Sequence, residues 1–183
     1  MKKVALIGDS IRLIGYGLKV PELLGEGYTV FQPQDNCRFA KYTLRGFWDW
    51  KDGLKDCDVI HWNNGLWDVC ELFGDGNFTP IEEYVENMLR IAKLYKQITP
   101  NVIFATTTPV RNDNPHNRNS EIERYNAALV PELEKMGIVI NDLYGLLSDD
   151  LEGNIRGDDK IHLTEKGIDL AAEQVVKFIK ELA

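Results

Sequence analysis

The stretch Lys3-Val4-Ala5-Leu6-Ile7-Gly8-Asp9-Ser10 decides how this sequence is read. Val4 to Ile7 is a short apolar run, too brief for the h-region of about 7–15 residues that a secretory leader needs after Lys2 and Lys3. Ended by Gly8, it reads instead as a strand buried on both faces. Four further runs have the same character: Tyr28–Gln32, Asp58–Asn63, Val102–Thr106 and Ile138–Ile140.

Helical patterns separate these runs. Thr79-Pro80-Ile81-Glu82 reads as a capping box with proline at the first helical position. Ser120-Glu121-Ile122-Glu123 reads as a second, and a last helix is predicted from Thr164. A helix is also expected around residues 42–54, with Leu44, Phe47, Trp48 and Leu54 on its buried face, and a less regular one over 15–24 around Pro21. Strand and helix in alternation imply parallel strands joined by crossovers. The expected architecture is a single domain over residues 1–183. It is a three-layer α/β/α sandwich, flavodoxin-like, with a five-stranded parallel sheet of order 2-1-3-4-5. In such folds ligands bind beyond the carboxyl ends of the strands.

Composition sets the outer limits. The chain has 183 residues, within one domain's usual range of roughly 100–200. A 44% hydrophobic fraction is enough for a sizeable core, which excludes a mainly disordered chain. No apolar run approaches the ~20 residues of a membrane span. The net charge of −8 disfavours a phosphate backbone, so no nucleic acid is expected as partner. Cys37, Cys57 and Cys70 have no metal-type spacing, and three ordinary thiols fit a reducing, cytoplasmic setting.

The strand ends carry the chemistry. Ser10 follows the first strand and is either a turn serine or a nucleophile, the latter only if a base takes its proton. After the fifth strand come Asp158-Asp159-Lys160-Ile161-His162. Asp159 and His162 are three residues apart on one turn, so the carboxylate can hold Nδ1–H and leave Nε2 as a base. Asp158 is the weaker candidate for the same partnership. The third strand runs out through His61-Trp62-Asn63-Asn64-Gly65-Leu66-Trp67-Asp68. One of Asn63 and Asn64 is a candidate oxyanion donor and the other a turn stabiliser, while His61 reads as a core histidine. Thr106, Thr107 and Thr108 are given no role.

Together these pieces resemble the SGNH hydrolases, the GDSL-like esterase/lipase superfamily. Gly8-Asp9-Ser10 matches its first block, and Asp159-Lys160-Ile161-His162 with Leu163-Thr164 matches its last. The resemblance implies a serine esterase that uses Ser10, His162 and Asp159 and needs no cofactor or metal. Two internal blocks depart from the pattern. The backbone N–H of Cys37 is the best match for the oxyanion-hole glycine of the second. Trp67 stands where the third block has asparagine, so that donor role is transferred to Asn63, with Asn64 in reserve. The expected oxyanion hole is therefore Ser10, Cys37 and Asn63.

The expected substrate is a small-molecule or saccharide ester, because Trp48, Trp50, Trp62 and Trp67 offer faces for sugar rings, although Trp48 at helical spacing reads as core. Two other readings stay open on the sequence: an acyltransferase on the same triad, and a non-catalytic flavodoxin-like binding module. Oligomeric state has no signature.

Overall fold

The computed structural model describes residues 1–183. Its strands are β1 (Lys2–Gly8), β2 (Tyr28–Phe31), β3 (Val59–Asn63), β4 (Val102–Ala105) and β5 (Val139–Asn141). They form one parallel sheet of order β2-β1-β3-β4-β5, as the alternation of runs implies. β1 and β3 lie at its centre, and Val4–Ile7 and all five residues of β3 are buried. This explains why both read as continuous apolar runs rather than as alternating ones.

The helices are α1 (Ser10–Leu13), α2 (Val20–Leu24), α3 (Ala40–Asp49), α4 (Lys51–Leu54), α5 (Ile81–Lys96), α6 (Asn119–Lys135), α7 (Leu143–Ser148), α8 (Leu151–Asn154) and α9 (Glu165–Leu182). On one face α3 packs on α5 and α5 on α6, while on the other α9 packs against α2, α7 and α8. None is long and apolar enough to cross a membrane.

Several boundaries move from their expected places. Pro80 takes the cap position of α5 rather than its first turn, and no side chain caps that helix. Thr79 is held elsewhere: its N–H donates to Asp68 O and its carbonyl accepts from Tyr125 Oη. α6 starts at Asn119, which leaves Ser120 inside the first turn. Thr164 does cap α9, its side chain accepting from the Gly167 N–H. The helix expected over 42–54 is two helices, α3 and α4, meeting at Trp50. Trp48 is 64% exposed rather than core, because the buried stripe of α3 runs through Ala40, Thr43 and Gly46. The Lys51 ammonium lies 4.1 Å from its ring centre. Over 15–24 a single 3-10 turn (Tyr16–Leu18) precedes α2, with Pro21 tolerated in the first turn of α2.

Candidate active site

Ser10 opens α1 directly after β1, at the carboxyl edge of the sheet. Asp9 caps that turn: its Oδ1 accepts the Ile11 N–H at 2.9 Å, and its carbonyl takes the N–H groups of Arg12 and Leu13. The Ser10 N–H is left without an acceptor in the chain. Ser10 Oγ lies 2.9 Å from His162 Nε2, across 152 residues of sequence. His162 Nδ1 lies 3.0 Å from Asp159 Oδ2.

Asp159 also shapes the turn that carries His162. Its Oδ1 accepts the N–H groups of Ile161 at 3.0 Å and His162 at 2.9 Å. Burial pushes the Asp159 carboxyl up, but those two N–H groups and the His162 ring together outweigh it and hold it down at about 2. The carboxylate is thus charged where it faces Nδ1, which favours a proton on that nitrogen and leaves Nε2 for Ser10. Asp158 is turned away and pairs with Arg156. The backbone between Asp159 and His162 is bent sharply, with Lys160 at φ +64°.

Two expected oxyanion donors are occupied. The Cys37 N–H donates to Gly8 O at 3.2 Å. The Asn63 amide nitrogen donates to Asp9 Oδ1 at 2.8 Å, and its oxygen accepts from Tyr16 Oη at 2.7 Å. Asn63 lies in register with Gly8, and a Cβ on Gly8 would come within 2.0 Å of Asn63 Oδ1. The amide therefore crosses directly over the glycine and locks onto the buried Asp9. Asn64, the reserve, is buried and donates to Arg38 O at 2.8 Å. Both asparagines use an amide N–H to hold the turn.

The same frame contains residues that the sequence reading passed over. Arg12 is fully buried, and its guanidinium donates to Pro33 O at 2.7 Å, Gly8 O at 3.0 Å and Asp35 O at 2.7 Å. It fastens the loop after β2 to the Ser10 turn. A lone arginine in the otherwise apolar Ile11–Ile14 segment was the available signal. Asp9 and Tyr16 belong to the Asn63 network. Thr107, given no role beforehand, donates to Asn64 O at 2.9 Å, and its side chain leaves room only for glycine at 65. His61 is buried in the core with Nε2 3.1 Å from the Asn141 amide nitrogen, and burial lowers its pKa to about 3.

The parallel sheet of order 2-1-3-4-5 with helices on both faces is shared with solved GDSL-like lipases and acylhydrolases. The chain has that fold. It superposes on a lipase/acylhydrolase from Enterococcus faecalis with TM-score 0.78 and 18% identity, covering 99% of this chain and 96% of that one. An acetylxylan esterase from Geobacillus stearothermophilus gives 0.78 and 17%, covering 97% and 94%. A putative acylhydrolase from Bacteroides fragilis gives 0.75 and 21%, covering 100% and 88%. No protein-family model matches the sequence, and a search of curated proteins finds no match either.

Proposed function

We propose that the protein is a serine esterase with Ser10 as nucleophile, His162 as general base and Asp159 as its orienting carboxylate. The observation that carries this reading is the continuous line Ser10 Oγ, His162 Nε2, His162 Nδ1, Asp159 Oδ2, with contacts of 2.9 and 3.0 Å. His162 takes the Ser10 proton as Oγ attacks the ester carbonyl. The carbonyl π pair moves onto oxygen, where the Ser10 N–H is the free donor among those expected. Collapse expels the alcohol, protonated by His162. Water, deprotonated by the same ring, then releases the acid.

For the substrate we favour an acetylated saccharide. Exposed Trp67 and Phe78 sit on the loop leaving β3, and the Phe39 ring meets that of Phe78 at 58° with ring centres 5.4 Å apart. Exposed aromatic faces suit sugar rings, and one of the similar structures is an acetylxylan esterase.

The test is hydrolysis of p-nitrophenyl acetate, butyrate and octanoate, with acetate release from acetylated xylo-oligosaccharide, by wild type, Ser10→Ala and His162→Ala. Each variant is expected to lose at least about 10³-fold in kcat while keeping its fold. Full activity in Ser10→Ala overturns the assignment. A preference for octanoate over the saccharide overturns the substrate class.

A further inference from the structure

We propose that Arg111 is a positioning residue for the His162 turn, an inference that rests on the esterase reading above. His162 belongs to no helix or strand. It sits on an excursion between α8 and α9 whose base is closed by the Ile155–Leu163 bridge and by Arg156 N–H donating to His162 O at 2.8 Å. Those bonds shape the loop internally. They do not fix it relative to β1, where Ser10 stands, yet a base must be held within about 0.5 Å of its productive place.

The missing tie comes from the segment that leaves β4. The Arg111 backbone N–H donates to Lys160 O at 3.0 Å, and the Asn114 amide donates to the same oxygen at 3.1 Å. Lys160 is the left-handed residue in the middle of the Asp159–His162 turn. The Arg111 guanidinium reaches the other end of the excursion, with Nε donating to Ile155 O at 2.9 Å and Nη2 to Glu152 O at 3.1 Å. One residue therefore grips the tip through its backbone and the base through its side chain. Ile155 immediately precedes Arg156, whose N–H holds His162 O. Release of the guanidinium is one hydrogen bond away from the imidazole's own backbone.

The ion pair of Arg111 with Glu152, at 3.3 Å, is a separate contact to a carboxylate whose side chain is 90% exposed, and such pairs contribute little. A purely structural role is the rival account: Glu152 and Ile155 carbonyls close the end of α8, so Arg111 would cap that helix and nothing more. The two accounts differ in what the loss of the side chain does to the reactivity of Ser10.

The experiment compares wild type, Arg111→Ala, Arg111→Lys and Glu152→Gln. It reads kcat and KM on p-nitrophenyl acetate, the rate of Ser10 labelling by a fluorophosphonate, and thermal midpoint. Arg111→Ala is expected to lose about 10²-fold in kcat with KM within about twofold, because a misplacement of about 1 Å costs that much. Labelling should slow in parallel. Arg111 lines an open cavity with Asn112, Asp113, Leu151, Glu152 and Gly157, so guanidinium has a route in. Millimolar guanidinium is expected to restore activity to Arg111→Ala. Glu152→Gln should behave as wild type.

Arg111→Lys, which reaches one carbonyl but not both, keeps the test valid if Arg111→Ala does not fold, and an intermediate loss is expected. A lowered midpoint with kcat and labelling unchanged in either arginine variant overturns the positioning role in favour of a helix cap. Absence of Ser10 labelling in wild type overturns the esterase reading itself, before any variant is compared.

Discussion

Asn63 shows how one residue can look like an oxyanion donor in sequence and be a buttress in space. An amide at the end of a central strand, beside a serine turn, is a reasonable donor. The sequence does not show that Asp9 is buried beside it and that burial pushes the Asp9 carboxyl up, so that it needs a donor of its own. Asn63 meets that need and also accepts from Tyr16. Asn63→Ala leaves two buried polar groups short of a partner, at about 1–3 kcal/mol each. The expected outcome in urea denaturation is a loss of roughly 2–4 kcal/mol, with kcat per folded molecule reduced less than about tenfold. A loss of about 10²–10³ in kcat at unchanged stability would return Asn63 to the oxyanion hole. Ser10, Asp159 and His162 were easier to read. Asp159 and His162 are linked by a short local spacing, whereas Ser10 after its strand stays open between turn serine and nucleophile until the Asp159–His162 block at the far end of the chain is read with it.

Helix starts divide on the same line between local and distant partners. Thr164 is both a local signal and the observed cap, since Gly167 is three residues away and no other group competes for its lone pairs. Its hydroxyl also donates to Gly153 O at 2.6 Å, which ties α9 to α8. Thr79 has the same kind of local signal, but Asp68 and Tyr125 take its backbone groups and the helix begins later. At α6 the chain enters the helix two residues early, where the Asn119 side chain bonds both N–H and C=O of Val110, at 3.0 and 2.9 Å. Thr164→Ala is therefore expected to cost about 1–2 kcal/mol and Ser120→Ala to stay within about 0.5 kcal/mol. Urea midpoints of the two variants, side by side, decide this. Equal losses would mean that Ser120 caps α6 in solution.

Across the whole molecule, strand number and order were legible because each central strand is a short buried run led by valine or isoleucine and the alternation with helices leaves few topologies. What was not legible is the stitching between the loops at the carboxyl edge, and Asp68 is the chief stitch. It lies in the loop after β3, yet both its oxygens accept the Ala40 N–H, at 3.2 and 3.0 Å, the first N–H of α3, whose own cap residue Phe39 has no side chain to offer. Asp68 is fully buried, and burial pushes its carboxyl up to about 7. Unfolded, it ionises near 3.8. Below that value both states hold the proton, and its contribution to stability is fully present. As pH rises the unfolded chain releases the proton first, so this contribution is lost progressively until the folded carboxyl ionises near 7. At 1.36 kcal/mol per unit the total is on the order of 4 kcal/mol. Urea unfolding from pH 4 to pH 8 should therefore show Asp68→Asn, which keeps an acceptor for Ala40 but cannot ionise, gaining on wild type up to about pH 7 and running parallel above it. Parallel curves throughout would mean that Asp68 is ionised in the fold at all these pH values. The α3 N-terminus and its N–H would then hold the charge against burial.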